Sequence, residues 1–249
     1  MFFGIFGWVL IFLGGAYLLS SSGDKDYQDD SFGVKSDIKD KIVRVLAQIE
    51  SGGMRYDIIY IRPGKELAYG LLQTTLRSGG LEVLLTSYIS KQGIFANQLQ
   101  NYMDRVRRKD PSLEKDNGFL SLLKRAGRED QAMQQAQREF FKTYYLARAF
   151  EWSQNQGFTL PVSFLAIADT FVHSGSQKPF DWAKIYSFPI DGENEKQILD
   201  KYLTWRENWL LGKGGVLATT SFRPREYKRL LHEDPNLEGS VNIRGTFID

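Results

Sequence analysis

Apolar residues recur at helical spacing between residues 38 and 49, and this pattern predicts an amphipathic helix. The apolar positions of this pattern are Ile38, Ile42, Val45 and Ile49. Their spacing of i, i+4, i+7 and i+11 places them on one helical face. Ser36 or Asp37 is suited to cap the start of the helix, and Gly52-Gly53 ends it. Glu50 therefore belongs to the last turn, where packing fixes its backbone and its side chain is expected to face a cleft.

After this helix the pattern becomes strand-like. Residues 55–62 are rich in Tyr and Ile and predict one short strand, followed by a turn at Pro63-Gly64. Gly70 is then expected to open a second helix that continues through Gln73 and Leu76. Gly79-Gly80 is its predicted stop.

The rest of the chain is predicted to be mainly helical. The longest helix is expected to start at Arg128 or Asp130 and to end at Gln156, and residues 162–173 are apolar on most faces, which predicts a central helix. Residues 174–191 are expected to form a loop, and the tail 236–249 to be extended. The other predicted helices are 81–88, 95–108, 119–126, 193–211 and 222–232.

The N-terminal segment has a different character from the rest. Residues 1–19 carry no charged side chain, and at helical rise they span roughly 28 Å, close to the thickness of a bilayer core. The rival interpretation is a cleaved signal peptide, but no basic residue precedes Lys25 and no Ala-x-Ala-like site is evident. The predicted organisation is a transmembrane anchor at 1–20, a flexible tether at 21–35 and one domain at 36–249.

Composition excludes several classes of function. The net charge is only +2, which does not favour a nucleic-acid partner. The chain has no cysteine, so disulfides, a thiol nucleophile and cysteine-ligated zinc are excluded. It has only two histidines, which disfavours a multi-histidine metal site. No metal and no cofactor are predicted.

Glu50 is the strongest candidate for a catalytic group. A carboxylate at a helix end, then a glycine turn, a Tyr/Ile-rich run and a second small-residue turn form a layout that resembles the catalytic segment of lysozyme-like glycoside hydrolases. Such enzymes need one carboxylic acid that stays protonated near neutral pH and usually a second carboxylate. Apolar neighbours of Glu50, such as Ile49, Tyr56 and Tyr69, are expected to raise the pKa of its carboxyl. The competing interpretation is an ordinary surface glutamate at a helix end.

The second carboxylate is less well defined by the sequence. Glu66, in the region of the Pro-Gly turn, is the first candidate for a general base, and Asp57 is the second. Each is also explained as a solvated side chain, and a hydroxyl such as that of Ser51, Thr74 or Thr75 is an alternative means of positioning water. The residues predicted to contact the substrate are Ser51, Tyr56, Tyr69, Gln73, Thr74 and His173. For His173, a satisfied core histidine is the alternative.

Asp169 stands out as the acidic residue of the predicted central helix. An unpaired buried carboxylate is costly, so this residue is expected to have a cationic partner. The candidates are Arg206, Arg223 and Arg225. The sequence predicts a structural network that supports the site.

Taken together and in order, several segments resemble the family 46 chitosanases of the lysozyme-like superfamily. The segments are 48–51 with Tyr56 and Tyr60, Gly70 with 73–75, 133–138 running on to Ala149, 168–175, 195–196 with 202–203 and Arg206, and 236–237 with 245–248.

The resemblance implies a mainly α, lysozyme-like two-lobed helical domain with a small β patch and a cleft. It implies an inverting endo-hydrolase of β-1,4-linked glucosamine polymers, with Glu50 in the position of the family's general acid. Asp169, Arg206 and Arg223 resemble the family's buried polar network. The family's base is an aspartate in the loop before the second glycine turn, where this sequence has no Asp and Glu66 is the nearest carboxylate.

The sequence therefore predicts a glycosidase that acts on an amino-sugar polymer, either chitosan or a peptidoglycan glycan strand. The Glu-Ser-Gly and Gly-Leu-Leu-Gln pattern also resembles lytic transglycosylases and goose-type lysozymes, so muramidase or transglycosylase activity is an alternative chemistry. A non-catalytic glycan-binding or envelope scaffold protein is the alternative from a different class, and the missing aspartate favours it.

The predicted localisation is at a membrane, with the catalytic domain facing the periplasm or the cell exterior. The basic residues after the anchor, beginning with Lys25 and Lys35, favour the cytoplasmic side by the positive-inside rule. Chemistry on wall polymers requires the opposite orientation. If the segment is cleaved, the protein is secreted.

Overall fold

A computed structural model describes residues 34–61, 66–71, 73–183 and 194–249. The predicted anchor at 1–20 and nearly all of the predicted tether at 21–35 lie outside this part of the chain. No helix within the described part is long and apolar enough to cross a bilayer. The chain divides into two compact units, one formed by Met1–Leu46 with Leu146–Asp249 and the other by Ala47–Tyr145.

Helix α1, Ser36–Ser51, is the predicted amphipathic helix. Ile42, Val45 and Ile49 of its apolar stripe are at most 1% exposed, which confirms the helical face. Gly52 and Gly53 follow with positive φ angles of 73° and 129°, a backbone conformation that strongly favours glycine, and they end the helix.

The unit Ala47–Tyr145 combines a small antiparallel sheet with helices around one core. Its strands are β1 Ile59–Ile61, β2 Leu67–Tyr69 and β3 Thr74–Thr75. The sheet order is β1-β2-β3, and the register pairs Ile59 with Tyr69 and Tyr69 with Thr74. Its helices are α2 Gly80–Ser90, α3 Ala96–Gln100, α4 Met103–Arg107, a 3₁₀ turn Pro111–Lys115, α5 Asn117–Glu129 and α6 Gln131–Phe141.

The prediction of a helix that begins at Gly70 is wrong. Gly70 has a φ of 77° and Gln73 a φ of 55°, so the chain reverses between them and returns as β3. The β-branched pair Thr74-Thr75 then completes the sheet, and the next helix begins only at Gly80. Pairing with β2 overrides the weak helical pattern of this segment.

Other predicted helices exist but are divided. The predicted helix 95–108 is two short helices, α3 and α4. The predicted helix ending at Gln156 consists of α6, a π-helical turn Lys142–Leu146 and α7 Ala147–Asn155. Asp130 separates α5 from α6 and accepts a hydrogen bond from the backbone N–H of Ala132, so it caps α6.

The unit of Met1–Leu46 and Leu146–Asp249 is built around α8, Pro161–Ser174, in which every residue from Val162 to His173 is buried. This confirms the prediction of a central helix. The region predicted as a loop contains a short helix, α9 Lys178–Ala183, and the extended tail is a hairpin. The other elements of this unit are α10 Glu195–Lys213, α11 Gly215–Ala218, α12 Phe222–Glu233, β4 Val241–Ile243 and β5 Thr246–Ile248.

Candidate active site

Glu50 lies in the last turn of α1, as predicted, and its residue surface is only 6% exposed. Burial keeps this carboxyl largely out of bulk solvent. The neighbouring Ser51 is also buried, and its hydroxyl is directed at the backbone carbonyls of Ala47 and Gly53 at 3.0 and 2.7 Å. Ser51 thus closes the helix end, and its predicted role in substrate binding is not supported.

Glu66 immediately precedes β2 and is half-buried. Its carboxylate accepts a 2.6 Å hydrogen bond from the backbone N–H of Arg77. The backbone N–H of Leu76 also donates to the carbonyl of Leu67, so Glu66 and Arg77 continue the register of β2 with β3. This contact fixes one carboxylate oxygen, and the carboxylate keeps further lone pairs for a water.

Asp57 is held in an ion pair. Its carboxylate lies 3.1 Å from a guanidinium nitrogen of Arg128. The ion pair already engages the Asp57 carboxylate, so Glu66 is the better of the two candidates.

Tyr69, one of the predicted substrate contacts, lies in the core. Tyr69 is fully buried in the core of its unit, and its hydroxyl donates a 2.7 Å hydrogen bond to the carbonyl of Leu123. Burial raises the pKa of the Tyr69 phenol, so it stays protonated as this donor. A side chain with no exposed surface has no face for a sugar.

The three other predicted contacts in this unit differ in how accessible they are. Gln73 and Thr74 are 4% and 6% exposed, and the amide of Gln73 donates to the carbonyl of Gly70. Little of either side chain is left for a ligand. Tyr56 is half-buried, and its hydroxyl accepts a 3.0 Å hydrogen bond from Arg138, which fixes its ring.

Gln137 is a residue whose role the sequence did not reveal. Its side-chain amide bonds to the backbone at Tyr56 and at Leu71, on either side of β1 and β2. The Met133–Arg138 segment was part of the family resemblance, but nothing in the local pattern distinguishes Gln137 from Gln134 or Gln135. Only its burial, at 4% exposure, sets it apart.

The predicted polar network lies in the unit of Met1–Leu46 and Leu146–Asp249. Asp169 accepts a 2.7 Å hydrogen bond from Arg223, and both side chains are almost completely buried. This confirms the prediction of a cationic partner and selects Arg223 among the candidates. Arg206 contacts His173 and Ser174 instead, and Arg225 pairs with Glu207.

His173 is 7% exposed and belongs to this network, which favours the core histidine over the predicted substrate contact. Its Nδ1 lies 3.2 Å from a guanidinium nitrogen of Arg206. Desolvation, with Arg223 and Arg206 as neighbouring cations, holds the pKa of His173 well below its usual 6.5. The imidazole is therefore neutral in the folded protein.

This neutral histidine predicts a loss of stability in mild acid. Below about pH 6.5 the unfolded chain binds a proton that the folded chain does not, so the free energy of unfolding falls as pH falls. We expect His173 to contribute up to about 1.4 kcal/mol per pH unit to that slope. Urea unfolding of the wild type and His173→Gln between about pH 7.5 and pH 5.5 measures the difference.

The matched control is His232→Gln, because the side chain of His232 is 66% exposed. It measures how far the replacement of an exposed histidine by glutamine changes the slope. Equal slopes for His173→Gln and the wild type would show that His173 titrates normally in the folded protein.

Comparison with solved structures gives the fold. The native chitosanase of Bacillus subtilis MY002 matches with a TM-score of 0.73 and 20% identity, over 87% of this chain and 100% of that chain. The chitosanase of Gynuella sunshinyii, a family 46 enzyme in complex with chitotetraose, matches with a TM-score of 0.71 and 15% identity, over 86% and 98% of the two chains. The sequence matches no protein-family model and no curated protein. The described chain has the fold of the family 46 chitosanases.

Proposed function

We propose that this chain, with its family 46 chitosanase fold, is an endo-acting glycoside hydrolase that cleaves β-1,4 bonds between glucosamine units, with Glu50 as its general acid. The observation that carries the proposal is the match to chitosanases over nearly their whole length. One of the matching structures, a mutant of the Bacillus enzyme, is a complex with 6 GlcN. The buried carboxyl at the end of α1 supports the choice of acid.

The proposed reaction begins with proton transfer from the carboxyl of Glu50 to the glycosidic oxygen. The bond between that oxygen and the anomeric carbon then breaks, and the leaving sugar departs as an alcohol. A water molecule attacks the anomeric carbon and gives one proton to a carboxylate, for which we propose Glu66. Return of this proton to Glu50 through solvent restores both groups, and the products are two shorter chains.

Peptidoglycan is the second candidate substrate. Two features of the sequence favour it: the uncharged segment 1–19, a predicted anchor that would keep the domain near a cell wall, and the net charge of +2, which offers little attraction for cationic chitosan. The orientation of the domain towards the periplasm or exterior is part of this candidate and stays a prediction.

The test is hydrolysis by the purified full chain in nonionic detergent micelles, with product analysis by mass spectrometry. Glucosamine hexamer and purified peptidoglycan are the two substrates, and Glu50→Gln is the control. We expect the wild type to produce shorter glucosamine oligomers from the hexamer, and the control to produce them about a thousandfold more slowly. Products from peptidoglycan alone would favour the second candidate. Binding of either polymer without turnover would contradict the proposed enzyme and favour a non-catalytic glycan-binding protein.

A further inference from the structure

One buried side-chain amide joins two backbone segments of the unit Ala47–Tyr145. The Gln137 amide oxygen accepts a 2.8 Å hydrogen bond from the N–H of Leu71, and its nitrogen donates a 2.9 Å hydrogen bond to the carbonyl of Tyr56. Tyr56 lies before β1 and Leu71 follows β2. The amide therefore uses both its donor and its acceptor, which lie on two separate atoms of one planar group.

These two backbone groups meet at one end of the sheet. The N–H of Gly70 donates to the carbonyl of Ile58, one step beyond the pairing of Ile59 with Tyr69. A Cβ atom on Gly70 would lie 2.3 Å from the amide oxygen of Gln137. The close approach of the amide therefore requires glycine at this position.

The helices behind this contact are also fixed to the same segment. In α5, a Cβ atom on Gly127 would lie 2.2 Å from the carbonyl oxygen of Tyr56, so the helix packs directly on this backbone. In α6, Arg138 donates to the hydroxyl of Tyr56. The segment that connects Glu50 to β1 is therefore held by packing against α5 and by hydrogen bonds from α6, one of which comes from Gln137.

We infer that Gln137 is a positioning residue of the proposed glycosidase. It fixes two backbone segments at once. The first contains Tyr56 and follows the proposed acid, Glu50. The second is the Gly70–Gln73 turn, which follows β2, the strand that begins directly after Glu66. It acts through the backbone and touches neither the substrate nor the reacting atoms. This inference rests on the proposed function.

Gln137→Glu tests the inference because it changes one atom and makes the bridge depend on pH. The ionised carboxylate accepts from Leu71 but opposes the Tyr56 carbonyl with a second acceptor. The protonated carboxyl again offers one donor and one acceptor. Relative to the wild type at each pH, we expect kcat of the variant on glucosamine hexamer to be about 10- to 100-fold lower near neutral pH. We expect the ratio of the variant kcat to the wild-type kcat to rise towards 1 in mild acid. We expect KM to change little.

Gln137→Met is the second variant, since it keeps the length of the side chain and removes both hydrogen bonds. Its kcat is expected to be low at every pH, without recovery in acid. Hydrogen exchange at the Leu71 amide gives a measurement independent of activity. We expect that amide to lose protection in Gln137→Met and to keep it in the wild type.

Gln135→Glu is the matched control, because Gln135 lies on the exposed side of the same helix and undergoes the same change of charge. It is expected to have the pH profile of the wild type. A folded Gln137→Glu with that same profile, or unchanged Leu71 protection in Gln137→Met, overturns the inference while the proposed function stands. A wild-type chain that hydrolyses neither polymer overturns both.

Discussion

Replacement of Glu50 by glutamine is expected to lower kcat on glucosamine hexamer by about a thousandfold, within the usual range for loss of a general acid. Glutamine has almost the shape of glutamate but has no acidic proton to give to the leaving oxygen. Glu50 is at the end of α1 and only 6% exposed, so the amide should fit without rearrangement. Steady-state kinetics of the full chain, with KM and the urea unfolding midpoint measured alongside, provide the check.

Two carboxyl variants calibrate this result. Asp57→Asn is the matched control, since Asp57 is paired with Arg128, and its activity should stay within a few-fold of the wild type. Glu66→Gln keeps an oxygen for the Arg77 N–H but removes the proposed base, and we expect roughly a hundredfold loss. Substantial activity of Glu50→Gln would refute the assignment of the acid. Full activity of Glu66→Gln would favour a mechanism that uses a single carboxylate.

Replacement of Arg223 by methionine is expected to give the largest loss of stability, about 3–5 kcal/mol. The side chain of Arg223 is completely buried, and one of its nitrogens lies 2.7 Å from the carboxylate of Asp169. Methionine fills much of the space but leaves Asp169 buried beside an apolar group, and the cost of an uncompensated buried charge dominates. Urea unfolding at neutral pH measures the loss.

The matched control is Arg225→Met, two residues along α12. Arg225 pairs with Glu207, but its side chain is 58% exposed, so its loss should cost less than about 1 kcal/mol. The double variant Arg223→Met with Asp169→Asn also removes the unpaired buried carboxylate, so we expect it to recover part of the lost stability. If both arginine variants were equally stable, the buried ion pair would contribute nothing beyond an exposed one.

The sequence determined the features that depend on local periodicity. The stripe from Ile38 to Ile49 placed Glu50 in the last turn of α1, and the apolar run around Asp169 predicted a buried helix that contains one charge. Both follow from the 3.6-residue repeat and from the cost of a buried carboxylate, which the residues themselves carry.

Tertiary structure alone decided which groups meet. Tyr56 and Gln137 are 81 residues apart in the chain, and Asp169 and Arg223 are 54 apart. No short-range pattern selects one of three arginines or one of several glutamines, because the choice depends on the packing of whole helices. The prediction of a helix from Gly70 is wrong for the same reason: the hydrogen bonds of this segment go to a neighbouring strand, and the identity of a partner strand is not encoded in the segment that it pairs with.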